Sequence, residues 1–200
     1  MVAIVLASAS PRRAELLAQL GVEFRVAPMD IDEQRNAYEP PIAYVGRMAR
    51  EKAAAATRQN ELNGEGPQAV LAADTIVVAG ACAHQVAGRV LGKPRDASHA
   101  VQMLCDLSDR THQVYTAVAV RFGVQQAFVC VCTDVRFRSV SMQEARAYWG
   151  TGEPADKAGG YGIQGAAIEF VKKIDGSYSN VVGLPLFETR SALRALQLLD

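Results

Sequence analysis

The sequence predicts an α/β fold in which a mixed, twisted sheet is flanked by helices. Apolar runs of strand length, such as Val2–Ala7 and Ala69–Val78, alternate with segments of helical period, which is typical of parallel strands joined by crossovers. Two long strand-like segments, Thr111–Phe122 and Gln126–Arg138, follow one another around Gly123, which indicates a hairpin. A sheet that contains both kinds of connection holds parallel and antiparallel pairs.

The N-terminal half is predicted to alternate between strands and helices. The predicted strands are Val2–Ala7, Val22–Ala27 and Ala69–Val78, the predicted helices are Pro11–Leu20 and Pro41–Arg58, and Asn60–Gln68 is a predicted surface loop. We expect Ser10 to cap the first helix, Pro11 to occupy its first turn and Gly21 to follow its end. Apolar residues occupy one side of the second helix, so the default position for Lys52 is the solvated side.

The C-terminal half contains the predicted hairpins and several shorter helices. The predicted elements are an irregular hairpin ending at Leu91, a helix from its Asp96 cap to Leu107, strands at Thr111–Phe122 and Gln126–Arg138, a helix from Ser141 to Trp149, an irregular segment at Thr151–Gly165, a strand at Ala166–Ile174 and a helix at Pro185–Leu199. Ser141 and Glu144 have the spacing of a capping box, which marks the start of the helix that ends at Trp149.

Charge and hydropathy exclude several classes of protein. The 200 residues include 21 Lys and Arg and 21 Asp and Glu, so the formal net charge is zero. General nucleic-acid binding requires a basic excess, so we expect no nucleic-acid partner, although a local basic site for one small anion is compatible with this balance. No stretch approaches the ~20 apolar residues of a membrane helix. The opening MVAIVLASAS has no basic segment before it, so we expect neither a signal peptide nor a membrane partner.

The four cysteines point to a reducing environment. Cys82, Cys105, Cys130 and Cys132 form no disulfide framework, and no CxxC pair or nearby histidine completes a zinc site. We therefore expect reduced, mostly buried thiols and a cytoplasmic location.

Arg12 and Arg13 occupy the first turn of the first predicted helix, where a helix already carries partial positive charge. Free backbone N–H groups, the helix dipole and two guanidinium groups at the end of a buried strand are suited to binding a phosphate. The alternative is that both arginines are solvated and reach away to surface acids.

Asp74 interrupts an apolar strand, where an unpaired carboxylate is unfavourable. Its neighbours must be a cation, a metal or solvent at the strand end, so Asp74 is a structural ion pair or cap, a metal ligand or a general base. Glu33 lies in an acidic turn with Asp30 and Asp32, and such a turn can hold Mg²⁺ with help from phosphate oxygens. The alternative is a charged loop, which we favour for Asp30 and Asp32. Lys93 lies between Gly92 and a proline, which favours a rigid, extended setting.

Six segments, in order, match one known family. These are LASASPRR at residues 6–13, AREKA at 49–53, ADT at 73–75, GKPR at 92–95, DKAGGYGIQG at 156–165 and VGLP at 182–185. They resemble the signature blocks of the Maf family of nucleoside triphosphate pyrophosphatases and extend over almost the whole chain. The segment from Gly80 to Arg89 departs from the pattern by a few extra residues.

The resemblance implies hydrolysis of a nucleoside triphosphate to the monophosphate and pyrophosphate, with a divalent cation, Mg²⁺ or Mn²⁺, as cofactor. It implies the α/β fold of the inosine triphosphate pyrophosphatases: one domain over residues 1–200, with two lobes around a central cleft. Members of the family are commonly homodimers. The form of the glycine-rich block, with Thr75 after Asp74, resembles the branch that acts on dTTP and UTP.

The resemblance also implies roles for individual residues. Asp74 would be the base or a metal ligand, with Glu33 assisting as metal ligand or base. Ser8, Arg13, Lys52 and Lys93 would hold the triphosphate, the two lysines within the catalytic set, and Arg12, Thr75 and Gln164 would govern the choice of base. Two alternatives remain open at this point: a pyrophosphatase for 7-methyl-GTP or another modified nucleotide, and a nucleotide-binding regulator of cell division that does not turn its ligand over.

Overall fold

A computed structural model describes residues 3–80 and 88–199. The strands are β1 (Ile4–Leu6), β2 (Phe24–Val26), β3 (Ala69–Ala79), β4 (Arg89–Leu91), β5 (Thr111–Phe122), β6 (Gln125–Phe137) and β7 (Val171–Asp175). The helices are α1 (Pro11–Ala18), α2 (Pro41–Leu62), α3 (Ala97–Leu107), α4 (Met142–Trp149), α5 (Tyr178–Val182) and α6 (Leu186–Ala195). Most of the hairpin expected before Leu91, Cys82 included, lies outside the described residues, as does Val2. None of the helices within the described ranges is long and apolar enough to span a membrane.

The strands form one seven-stranded mixed sheet, as the sequence predicts. Its order is β2-β1-β3-β5-β6-β7, and β4 pairs with β3. β1 pairs in parallel with both β2 and β3, whereas the β3–β4 and β6–β7 pairs are antiparallel. β5 and β6 are neighbours joined at Gly123, whose φ of 58° is readily adopted by a residue without a Cβ. The predicted combination of crossovers and hairpins is confirmed.

The chain divides into two compact units, and the first comprises Met1–Asp74, Thr116–Val131 and Gly183–Asp200. Its core is built on β1, in which every residue is fully buried, and on the equally buried first half of β3. α2 buries small residues such as Ala49, Ala53 and Ala56. The apolar side that predicts α2 therefore faces the core.

The second unit comprises Thr75–Tyr115 and Cys132–Val182. In its core, the rings of His112, Phe137 and Tyr161 meet edge to face, with centroids 4.9–5.4 Å apart. Asn180 is fully buried and its amide donates to the Val114 carbonyl and the Thr133 hydroxyl, each at 2.9 Å. Helices α3 and α4 pack against each other within this unit.

Two of the three predicted helix caps are confirmed. The Asp96 carboxylate accepts the His99 N–H at 2.8 Å, and Ser141 and Glu144 form a complete capping box. Ser10 stands at the N-cap position of α1, as predicted, but its side chain makes no capping hydrogen bond. The hydroxyl of Ser8 accepts the Ser10 N–H instead, at 3.2 Å.

Several predicted boundaries are corrected. The segment expected as a strand over Ala166–Ile174 begins as a 3₁₀ helix, Ala166–Phe170, and becomes a strand only at Val171. The Glu153 carboxylate accepts the Ala166 N–H at 3.1 Å and supports this first turn. α2 continues to Leu62, into the expected loop, and α6 ends at Ala195. The short helix α5 has no counterpart among the predicted elements.

Candidate active site

Lys52 lies between two carboxylates in the first unit. Its Nζ is 2.7 Å from Asp74 Oδ1 and 2.6 Å from Glu33 Oε1. The Lys52 and Asp74 side chains are 11% and 14% exposed, whereas that of Glu33 is 52% exposed. The default expectation of a solvated lysine is therefore wrong, and the expected cation beside Asp74 is present. We call Glu33, Lys52 and Asp74 the acid–lysine cluster.

The position of Asp74 explains why the cluster forms. The five residues before it in β3, Ala69–Ala73, are fully buried, and Asp74 is where this run ends. Removing a carboxylate from water is costly unless a charged partner replaces the lost hydration. α2 supplies that partner from its buried side, and the formal charge of the cluster is −1. A lysine ammonium has three N–H donors, so it can serve both carboxylates and retain a third donor for a ligand.

Arg13 is held at the end of β1 by two hydrogen bonds. Its Nη1 donates to Ser8 Oγ at 3.2 Å, and its Nε donates to the Gly183 carbonyl at 2.9 Å. Burial lowers the pKa of the Arg13 guanidinium, and the negative charge of Asp74 opposes that shift. Arg13 therefore does not follow the alternative in which the arginine is solvated and reaches away to surface acids.

The charges of Arg12 and of the acid–lysine cluster act on Arg13 in opposite directions. Arg12 is half-buried in the same first turn, and its charge lowers the pKa of Arg13, whereas the carboxylate of Glu33 raises it. Ser8 is buried and accepts from both Ser10 and Arg13. The structure thus brings Ser8 and Arg13 together beside the first turn of α1, where Arg12 also lies, and the binding of a phosphate there stays a prediction.

The acidic turn before α2 contains one residue of the cluster and two that stay outside it. Asp32 Oδ1 accepts the Gln34 N–H at 2.9 Å, a local turn contact, and Asp30 is exposed. The hydroxyl of Tyr44 donates to the backbone carbonyl of Glu33 at 2.8 Å. Burial raises the pKa of the Tyr44 phenol, and the charge of Asp74 adds to the shift. Sequence reasoning missed Tyr44, whose only local signal is an aromatic residue on the same helix as Lys52.

Thr75, Lys93 and Gln164 belong to the second unit. Thr75 is half-buried in β3. Lys93 is exposed and follows Gly92, whose carbonyl accepts the Gly159 N–H at 3.0 Å. That bond ties the GKPR segment to the glycine-rich segment that bears Gln164.

Gln164 is presented on a turn that is anchored at both ends. The Gly162 N–H donates to the Tyr148 hydroxyl at 3.0 Å, and the Gly165 N–H donates to the Gly162 carbonyl at 3.1 Å. Beyond Gly165, the Glu153 carboxylate accepts the N–H of residue 166. A Cβ on Gly165 would collide with Glu153 Oε2, so a larger residue at this position would displace this carboxylate. The exposed amide of Gln164 is thus carried by a well-supported loop.

A family model described as Maf-like protein matches residues 3–196. The chain belongs to the Maf-like protein family. It is 50% identical over 196 residues to a dTTP/UTP pyrophosphatase of Saccharophagus degradans, covering 97% of this chain and 89% of that protein. It is also 50% identical over 193 residues to a dTTP/UTP pyrophosphatase of Escherichia coli O157:H7, covering 96% of this chain and 92% of that protein.

Among solved structures, the Ham1 protein of Staphylococcus aureus matches this Maf-like chain with a TM-score of 0.44 and 14% sequence identity. The match covers 68% of this chain and 71% of that one.

The carboxylates of this Maf-like protein's site fit a hard divalent cation whose coordination is completed by the phosphates of a bound ligand. Within residues 3–80 and 88–199, no three His, Cys, Asp or Glu side chains are grouped to form a metal site by themselves. The carboxylates of Glu33 and Asp74 do lie close together, because one oxygen of each is within 2.7 Å of Lys52 Nζ. Mg²⁺ is commonly held by one or two carboxylates together with substrate phosphates and water. Asp74 and Glu33 therefore fit such a cation in the presence of a phosphate ligand.

Proposed function

We propose that this chain is a nucleoside triphosphate pyrophosphatase that hydrolyses dTTP and UTP to the monophosphate and pyrophosphate. The observation that carries the proposal is the acid–lysine cluster, in electrostatic range of Arg13 at the first turn of α1. Two curated relatives that are 50% identical over nearly the full chain bear the name dTTP/UTP pyrophosphatase, which supports the choice of substrate.

Substrate binding follows from the charges of the site. A nucleoside triphosphate brings about four negative charges, which guanidinium and ammonium groups neutralise best when water is excluded. Arg12, Arg13 and the Ser8 hydroxyl would bind phosphate oxygens at the first turn of α1, and Lys52 would contribute its third N–H. The family resemblance adds Lys93 to the residues that hold the triphosphate. The same positive groups would stabilise the negative charge that accumulates on the departing pyrophosphate.

The chemical step transfers the α-phosphoryl group to water. A water oxygen attacks the α-phosphorus, the bond from that phosphorus to the bridging oxygen of the β-phosphate breaks, and pyrophosphate leaves with the bonding electrons. Asp74 would orient this water by accepting its hydrogen bond and take up the proton as the new P–O bond forms. Lys52 holds the Asp74 carboxylate in place at 2.7 Å. A divalent cation held by Asp74 and Glu33 would supply further positive charge at the phosphates.

The choice of base would depend on Gln164, Thr75 and Arg12. An amide offers both a donor and an acceptor, which is what the polar edge of uracil or thymine requires. The anchored turn that carries Gln164 would keep this amide in one place. The hydroxyl of Thr75 and the guanidinium of Arg12 would add further polar contacts.

The test is a panel of nucleotides assayed for pyrophosphate and orthophosphate release, with Mg²⁺ or Mn²⁺ and with EDTA. We expect pyrophosphate from dTTP and UTP, and loss of release in EDTA. Asp74→Asn should lower turnover by ~100-fold or more, the range for removing a general base. Asp30→Asn, which changes an exposed carboxylate of the neighbouring turn, is the matched control and should leave turnover unchanged.

Other outcomes of the same panel distinguish the alternatives. Preferential hydrolysis of 7-methyl-GTP would replace the proposed substrate, and tight UTP binding without turnover in either metal would favour a nucleotide-binding regulator. Gln164→Glu should lower the ratio of UTP to GTP hydrolysis, and an unchanged ratio would remove Gln164 from base selection.

We also propose that the chain acts in the cytoplasm, which its cysteine usage predicts, and that it is a homodimer, which the family resemblance implies. Light scattering after size-exclusion chromatography tests the oligomeric state, and a monomer mass at micromolar concentration would contradict it.

A further inference from the structure

Glu33 occupies a precise position although it lies on an irregular segment. Residues 27–40, all of which the structure describes, form neither helix nor strand between β2 and α2. The Glu33 side chain is 52% exposed, yet its Oε1 lies 2.6 Å from Lys52 Nζ. Fixing an irregular backbone and a long exposed side chain is entropically costly. Contacts other than the ion pair must therefore hold this part of the chain.

Tyr44 provides the first of these contacts. Its hydroxyl donates to the carbonyl oxygen of Glu33 at 2.8 Å. Tyr44 lies on α2 about two turns before Lys52, so the same helix binds Glu33 at its backbone through Tyr44 and at its carboxylate through Lys52. The rigid helix thus sets the distance between the two points that hold the residue.

Arg47, one turn after Tyr44, provides the second. Its Nη2 donates to the Gln34 carbonyl at 2.9 Å, so consecutive carbonyls of the loop are bound by side chains from one face of α2. Its Nε and Nη2 also bind the two carboxylate oxygens of Glu39, each at 2.8 Å. Glu39 is 11% exposed, and its hydrogen bond with Arg47 lowers its pKa. Glu39 in turn accepts the Asn36 N–H at 3.1 Å.

We propose that Tyr44 and Arg47 are positioning residues for Glu33. They hold the backbone of residues 33 and 34 against α2, so that the Glu33 carboxylate faces Lys52 and any cation that Asp74 shares. The kinetic consequence rests on the proposed function, whereas the positioning itself is a property of the loop that can be measured without turnover.

Hydrogen exchange is the primary test. Tyr44→Phe removes only the hydroxyl, and we expect amide exchange in residues 33–36 to accelerate by roughly three- to tenfold, the value of one hydrogen bond. Tyr38→Phe, a fully exposed tyrosine of the same segment, is the matched control and should leave exchange unchanged. Exchange in Tyr44→Phe equal to that of the wild type would overturn the proposal, whether or not the protein hydrolyses a nucleotide.

A double-mutant cycle tests whether the effect passes through Glu33. Mn²⁺ binding in the presence of a non-hydrolysable UTP analogue, followed by the electron paramagnetic resonance of free Mn²⁺, should weaken about three- to tenfold in Tyr44→Phe. In a Glu33→Gln background the same substitution should have no further effect. An equal loss in both backgrounds would show that Tyr44 acts elsewhere and would overturn the proposal.

Arg47→Lys provides a second variant that keeps the charge. A lysine cannot bind Glu39 through two parallel N–H donors and reach the Gln34 carbonyl as well, so exchange in residues 33–36 should again accelerate. Arg58→Lys, at an exposed position of the same helix, is its control. Faster exchange in a protein that hydrolyses no nucleotide would support the positioning and refute the proposed function, so the two failures are distinguishable.

Discussion

The buried histidine of the second unit makes stability depend on pH in a calculable way. His112 is fully buried, its Nε2 lies 2.7 Å from the Tyr161 hydroxyl, and burial lowers its pKa from 6.5 to about 3. The folded chain therefore keeps this imidazole neutral in a pH range where the unfolded chain binds a proton. The contribution of His112 to stability is intact above pH 6.5 and is lost progressively as the pH falls toward 3.

The size of this effect follows from the two pKa values. Between about pH 7.5 and about pH 5, the difference in proton binding removes about 2 kcal/mol from the free energy of unfolding. His112→Phe keeps an aromatic ring in the cluster with Phe137 but removes the titrating group. The variant should lose about 1–2 kcal/mol at neutral pH because the buried Tyr161 hydroxyl loses its partner. On acidification it should then lose about 2 kcal/mol less than the wild type.

Urea unfolding followed by circular dichroism at the two pH values measures both differences. His99→Gln, at the start of α3, is the control and should retain the wild-type loss on acidification because it leaves His112 in place. If His112→Phe and the wild type lost the same free energy between the two pH values, the assignment of a neutral, buried imidazole would be refuted.

Two further predictions concern backbone space and a surface cap. Gly159 has a φ of +72°, and a Cβ there would lie 2.9 Å from Val77, so Gly159→Ala should lower the free energy of unfolding in urea by about 2–4 kcal/mol. Gly21 has a similar φ of +71° but open space around it, so Gly21→Ala should lower it by only about 1–2 kcal/mol. Equal losses in the two variants would contradict the contact with Val77. Hydrogen bonds from the Ser141 N–H and hydroxyl lower the pKa of Glu144 to about 2. Glu144→Gln should therefore lower Tm near neutral pH, and the difference in Tm from the wild type should shrink as the pH falls from 4.5 toward 2. A difference in Tm that does not change with pH would exclude a charge effect.

The sequence predicts elements where a local signal is sufficient. The capping box of α4 and the Asp96 cap of α3 are each contained within four consecutive residues, and both are confirmed. The 3₁₀ helix at residues 166–170 is different, because its first N–H is held by Glu153, thirteen residues earlier. A segment whose local pattern fits a strand thus begins as a 3₁₀ helix, and the contact that supports its first turn comes from a residue outside that segment.

The same distinction applies to the candidate site. The anomaly of Asp74, an acid in an apolar strand, predicts a cation, a metal or solvent beside it, and the neighbour found is a cation, Lys52. The sequence does not show which side of α2 would face it, because that depends on how helix and strand pack, and so the default placement of Lys52 is wrong. Lys93 and Gln164 stand out mainly through the family resemblance, and their roles remain predictions. Tyr44 acts through a backbone carbonyl, a contact that leaves no pattern in side-chain chemistry.

The hydroxyl of Ser8 can act only as a donor toward any further group. Its oxygen already receives hydrogens from the Ser10 amide and the Arg13 guanidinium, and these two bonds engage both of its lone pairs. The Ser8 hydroxyl can therefore still donate its hydrogen to an acceptor, but its oxygen cannot accept from a further donor. At the N-terminal end of α1, the Ser8 side chain is thereby suited to an acceptor atom, such as the oxygen of an anion, and not to a further donor.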